Sequence, residues 1–278
     1  MNVVMISPAG WRDIDLNLEK RVVLRWQKRA IIAQKSTLNS LANIIRMAMM
    51  FEVTDLWRST FPGAHAGVLV MRNVVNPASH ADLEHQKEAL VEELCARYSG
   101  LDRSQLESLP ALQVYDTYYK RFKKTYHVQL QLESIVFKGK SIPSVAGLVE
   151  AMFMAEIKNM LLTAGHDFDA LKLPVRLDVT RGDETYMLMR GQPQQVKAGD
   201  MMILDGQGIM SNIIYGPDQR TQIQAGTRNV IYTTYAPSGI SEQAVAEHLH
   251  DIERYVRLFA PDAYTDLIQV FGQEISHV

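Results

Sequence analysis

The sequence predicts an α+β fold, a central β-sandwich or mixed sheet flanked by helices. Two observations predict it. Apolar residues recur at helical spacing from about 80 to 162 and again from 241 to 259. From Val175 to Tyr235 the period falls to two, with Gly, Pro and Asp turns between short runs. The chain has 278 residues, 47% apolar and 22% charged, enough to bury a sizeable core without cross-links.

Residues 1–50 hold eight Lys and Arg against three Asp and Glu, whereas the remaining 228 hold 21 against 28. This break, and the cluster Met47, Met49 and Met50, sets off 1–46 as a loose basic extension or a mis-assigned start. A basic amphipathic arm for RNA or anionic lipid is the other reading. The expected domain runs from 47 to 278.

Phe51–Val53 reads as a strand, Asp55–Phe61 as one or two helical turns stopped by Pro62-Gly63, and Ala66–Arg72 as a buried strand. His80–Tyr98 is a helix ended by Gly100, and Pro110–Lys124 is another. Leu130–Phe137 is helical into a basic turn at Lys138-Gly139-Lys140. Pro143 suits a first helical position, so an apolar helix is expected over Val145–Leu162. Ala146 and Gly147 would leave room near its start, where backbone N–H groups can meet an anion or a carbonyl. An ordinary close packing contact at Gly147 is the competing reading. Gly165–Asp169 reads as a loop. Strands follow at Val175–Val179, Glu184–Met189, Met201–Leu204, Ser211–Tyr215 and Asn229–Tyr235. A final helix over Ser241–Phe259 is capped by Ser241.

The chemistry is sparse. No phosphate loop, dinucleotide fingerprint or nucleophile elbow is present, and the eight histidines form no zinc spacing. No metal or cofactor is expected. The one cysteine, Cys95, rules out an internal disulfide and fits a reducing cytoplasm. No run approaches the roughly 18 apolar residues of a membrane span. His166, beside Asp167 and Asp169, is the candidate acid, base or hydrogen-bond donor, with loop capping as the plainer role. Lys120, Arg121, Lys123 and Lys124 interleave with Tyr115, Tyr118, Tyr119 and Phe122, a pattern that can hold phosphates and stack bases. The alternative is a half-buried helix with inward tyrosines and solvated lysines. Lys138 and Lys140 extend the basic set.

Lys140-Ser141-Ile142-Pro143-Ser144-Val145, then Leu148-Val149-Glu150, Gly165-His166-Asp167-Phe168-Asp169 and Thr227-Arg228-Asn229-Val230 follow in order. Together they resemble the B3/B4 domain, the aminoacyl-tRNA editing domain of the phenylalanyl-tRNA synthetase beta subunit, which also occurs free-standing. The resemblance spans roughly residues 51–262. It implies tRNA or aminoacyl-tRNA as partner and hydrolysis of a mischarged ester by a positioned water. It also implies a pocket formed by Ser144, Ala146, Gly147, Gly216, Asp218, Thr221, Asn229 and Thr233. The chain departs from the family where specificity is set. The synthetase carries asparagines at the places of Ala146 and Gly147, a glutamate at that of Thr233, and its histidine falls nearer Ala164 than His166. The scaffold is matched and the specificity residues are changed, so the resemblance does not imply tyrosyl specificity in particular. The expectation is a free-standing protein that binds aminoacyl-tRNA and deacylates it in trans; the alternative is a non-catalytic binder of RNA or of an amino-acid-like ligand. The oligomeric state is open.

Overall fold

The computed structural model describes residues 50–272; the expectations for 1–46 lie outside them. The architecture is α+β. A five-stranded sheet, in the order β1 (Phe51–Val53), β4 (Val175–Val179), β7 (Met201–Asp205), β8 (Gly208–Asn212), β9 (Gly216–Pro217), has one parallel pair, β1 with β4. A four-stranded antiparallel sheet has the order β11 (Tyr264–Gly272), β2 (His65–Arg72), β10 (Asn229–Ala236), β3 (Leu162–Asp167). Side chains of β3 and β10 meet β8 across the gap between the sheets. A short hairpin, β5 (Thr185–Met187) with β6 (Pro193–Gln195), stands apart.

The helices are α1 (Asp55–Thr60), α2 (Ala81–Arg97), α3 (Arg103–Glu107), α4 (Pro110–Lys120), α5 (His127–Lys138), α6 (Gly147–Asn159) and α7 (Glu242–Phe259). The capping expected at Ser241 is present, its hydroxyl accepting from the Ala244 amide at 3.1 Å. Gly67 lets α7 lie close on β2. A Cβ there would stand 2.6 Å from Val245 Cγ1, a distance at which something must move.

The structure differs from the sequence-based expectation in three places, two of them at the candidate site. Gly165–Asp167 is not loop but part of β3, paired along β10 from Leu162–Tyr235 to Asp167–Val230. The apolar helix starts at Gly147, four residues after Pro143, with Ala146 as its N-cap. Its first amides are already used: Gly147 N–H donates to the Pro77 carbonyl at 2.8 Å and Leu148 N–H to Asn76 Oδ1 at 3.0 Å. The helix start therefore offers those donors to the protein rather than to a ligand. The third difference is β11, a strand the sequence reading missed.

Gly147 is a close-packing position. A Cβ would sit 3.1 Å from both the Phe259 ring and Pro77 Cδ. We expect Gly147→Ala to lower the melting temperature, with an overpacking cost of about 1–3 kcal/mol, and Gly147→Leu to cost more. Thermal melts followed by circular dichroism check this; an unchanged melt for both would contradict the packing role.

Candidate functional site

Val149, Met152, Phe153 and Glu156 recur at three- and four-residue spacing and share one face of α6. That face looks onto the start of β3, Leu162–Gly165, and onto the Asn212–Pro217 stretch linking β8 to β9. Together they enclose a cavity of about 350 Å³, which Met189 and Ile223 also line. It sits where the edge strands of the two sheets, β3 and β9, approach under α6.

The polar groups in its walls are few. Glu156 is 2% exposed, and its Oε1 accepts from the Thr163 amide at 2.7 Å. Burial pushes its pKa up to about 8, against that single backbone hydrogen bond, so near neutral pH the carboxyl carries its proton. The cavity wall thus includes a carboxyl able to donate as well as accept. Asn212 has its Oδ1 committed to the Tyr215 amide at 2.8 Å. His127 stands at the mouth, its ring edge-on to Tyr119 and Tyr126. The residue is open to solvent, yet the protein packed around the ring penalises the cation and lowers its pKa. Glu156 and His127 are thus both largely neutral near pH 7.

His166 is fully buried between the sheets. Its Nδ1 meets Thr221 Oγ1 at 2.7 Å and its Nε2 meets Ser211 Oγ at 3.2 Å. Thr221 donates onward to Asp218 Oδ1, and Ser211 Oγ meets the Tyr235 hydroxyl at 2.6 Å. Burial, and then the Arg220 charge, lower the His166 pKa to about 3. The imidazole is neutral and enclosed, and of this chain only Tyr235 lines the cavity. His166 therefore does not serve as a cavity acid or base. It links the two sheets.

The other expected pocket residues are dispersed. Of them Gly216 alone lines the cavity. Asp218 and Thr221 belong to the His166 chain. Ser144 Oγ accepts from Lys87 at 2.8 Å, within a cluster where Lys87 pairs with Glu150 and Glu84. Ala146 caps α6 and Gly147 packs on Phe259. Asn229 donates to Asp169 at 2.8 Å, and the Thr233 hydroxyl is buried without a partner. The cavity lies further along α6 than the sequence reading placed it, because β3 covers the flank of β10. Glu156 was overlooked. Its signal in the sequence was one acid on the apolar face of the central helix.

The basic helix also divides. Tyr115, Tyr118 and Tyr119 are buried and cannot stack bases. Lys120 pairs with Asp116 at 2.6 Å, and the Arg121 guanidinium lies 5.1 Å from the Tyr118 ring and donates to the Gly199 carbonyl. Lys123, Lys124, Lys138 and Lys140 are exposed. Lys124 Nζ stands 5.8 Å over the ring of Tyr215, which lines the cavity. Among the described residues no three His, Cys, Asp or Glu side chains gather as a metal ion requires, and no helix is long and apolar enough to cross a membrane.

No protein-family model and no curated protein matches the chain. Among solved structures, an N-terminal fragment of the phenylalanyl-tRNA synthetase beta subunit from Pyrococcus horikoshii is similar, with a TM-score of 0.43 and 10% identity. The match covers 81% of this chain and 54% of the fragment, so the chain spans about half the fragment's length. The likeness is weak and concerns the arrangement of elements alone.

The buried carboxyl gives a pH signature. Unfolded, Glu156 has the ordinary value of 4.5; folded, about 8. The unfolded chain therefore releases this proton first, and the group's contribution, complete below 4.5, is lost as pH rises to about 8. Glu156→Gln keeps an acceptor for the Thr163 amide and removes the titration. Urea midpoints of the wild-type chain should fall from about pH 5 to about pH 8, by at most about 1.4 kcal/mol per unit from this group, and fall less in Glu156→Gln. Parallel profiles would show that Glu156 ionises freely.

Proposed function

We propose that this chain binds aminoacyl-tRNA with the amino acid in the cavity, and hydrolyses the ester in trans. The observation that carries the reading is the enclosed apolar cavity with a single protonated carboxyl in its wall. Its volume, about 350 Å³, is at the lower end of ligand sites, which run from roughly 300 to 1,000 Å³, and suits a small group such as an amino-acid side chain. The sequence resemblance to the B3/B4 domain supplies the substrate class. Lys124 beside the cavity wall supplies a cation for the RNA. An aminoacyl ester is already prone to hydrolysis, so holding it against a positioned water suffices without a covalent nucleophile.

A second reading is non-catalytic binding of the same ligand. It is favoured by the neutrality of both Glu156 and His127 near pH 7, which leaves the cavity without a charged base.

The decisive experiment incubates the protein with a panel of correctly and incorrectly charged tRNAs and follows ester loss. Accelerated loss for a subset is expected. Ala164→Leu, which adds bulk at the cavity wall, should abolish it while the melt is preserved. Binding without ester loss supports the second reading, and absence of both overturns the proposal. Lys123, Lys124 and Lys138 changed together to glutamine should weaken tRNA binding and lower its salt slope by about one unit per lost phosphate contact. An unchanged slope would place the RNA elsewhere.

A further inference from the structure

His127 is the first residue of α5 and is exposed. It lines two concavities at once: the cavity under α6 and a groove of about 380 Å³ between α5 and residues 140–143. Two tyrosines set the plane of its ring, Tyr126 at 5.8 Å and Tyr119 at 6.5 Å between ring centres. The Tyr119 hydroxyl also lies 3.5 Å from His127 Nδ1. That hydroxyl gives its own proton to the Ile213 carbonyl at 3.0 Å, so toward the imidazole it presents a lone pair. Nδ1 therefore carries the ring's proton, and Nε2 keeps its lone pair. Nε2 meets no partner among the described residues.

Nothing around the ring holds it in the charged form. Burial lowers its pKa, and its place at the positive end of α5 acts the same way. Among the described residues lining either concavity, the other titratable groups are Glu156, Lys140, Tyr215 and Tyr235. Glu156 is protonated near neutral pH, burial pushes both phenols up, and Lys140 is a cation. Tyr119 and Tyr126, packed on the ring, are neutral phenols too. None of these groups is a carboxylate that would stabilise an imidazolium at pH 7. The rim shared by cavity and groove thus carries a neutral, oriented imidazole with one open nitrogen. A ligand whose apolar group fills the cavity presents its next atoms at this rim, and the groove brings water to it.

We propose that His127 is the general base for ester hydrolysis at this rim. Nε2 takes a proton from a water, and the water oxygen adds to the ester carbonyl carbon. The bond from that carbon to the alcohol oxygen then breaks, and the imidazolium returns the proton to the departing oxygen. An acid and an alcohol leave, and His127 is neutral again. Tyr119 holds the Nδ1 proton throughout, as the third group that orients a base. The inference rests on the aminoacyl-ester reading for its substrate, and on the geometry of the ring for the base itself.

The test compares the full chain with His127→Ala and His127→Gln on two kinds of ester. One is the charged tRNA panel, and the other is the ethyl esters of leucine and phenylalanine, which carry no RNA. Both variants should keep the wild-type melt and lose about a hundredfold in rate, the lower end of what a positioned base contributes. Added imidazole should restore part of the rate in His127→Ala and none in His127→Gln, whose side chain still fills the place. Below its pKa the ring is charged and Nε2 has no lone pair. The wild-type rate, corrected for the uncatalysed reaction, should therefore rise with pH to a plateau through a midpoint below 6.5, an inflection both variants lack. Nitrogen-15 NMR of the resting wild-type protein should find the His127 proton on Nδ1. Undiminished rates in both variants, or a proton on Nε2, overturn the base and leave the aminoacyl reading standing. His127-dependent loss of the ethyl esters with no loss from tRNA does the reverse. Loss of neither ester removes the base together with catalysis and leaves only binding.

Discussion

Polar side chains buried between two sheets must find partners, and here five of them satisfy one another in one continuous chain, while the Thr233 hydroxyl is left out of it. Asp218, Thr221, His166, Ser211 and Tyr235 join the turn after β9 to β3, β8 and β10. Leaving any buried member unpaired costs roughly 1–3 kcal/mol, so the chain fixes the spacing of the sheets as well as their register. The neutral His166 follows from this enclosure. So does the cavity, since β3 and the β8–β9 stretch that form its walls are the elements tied by that chain.

The tyrosines of α4 complete the frame from one end. Tyr115 donates to the Tyr235 carbonyl and accepts from the Leu162 amide. Tyr119 donates to the Ile213 carbonyl at 3.0 Å, and Tyr118 bridges Asp200 and the Met201 amide. Leu162, Ile213 and Tyr235 all line the cavity. A helix whose composition resembles an RNA-stacking surface thus uses its rings as core and its hydroxyls to hold the cavity walls. Burial pushes the pKa values of these phenols upward, so they remain neutral donors.

The α+β class and most elements were legible because their signals are local: alternation in Val175–Val179, the β-branched run of Asn229–Ala236, and the cap at Ser241. What was not legible depends on distant partners. Gly165 looks like a loop residue, but it lies in a strand whose pairing with Tyr232 no local pattern reveals. Pro143 looks like a helix start, yet the helix waits for Asn76 and Pro77, far back in the chain, to receive its first amides. The residues expected to share one pocket stand apart for the same reason. Residues matched by order along the sequence were dispersed by tertiary contacts, while Glu156 gained its unusual chemistry only from what surrounds it.

The position of β2 sets a requirement on how the chain matures. Six of its eight residues are buried, and both its edges pair with strands made much later: Arg72 faces Asn229 on one side and Tyr264 on the other. At translation rates of about 5–20 residues per second, β2 leaves the ribosome on the order of ten seconds or more before its outer partner exists. Pairings this remote in sequence also close slowly. For that interval a strand with two open edges is a template for pairing with other chains, so the order of synthesis exposes the most buried strand of the sheet before anything can cover it.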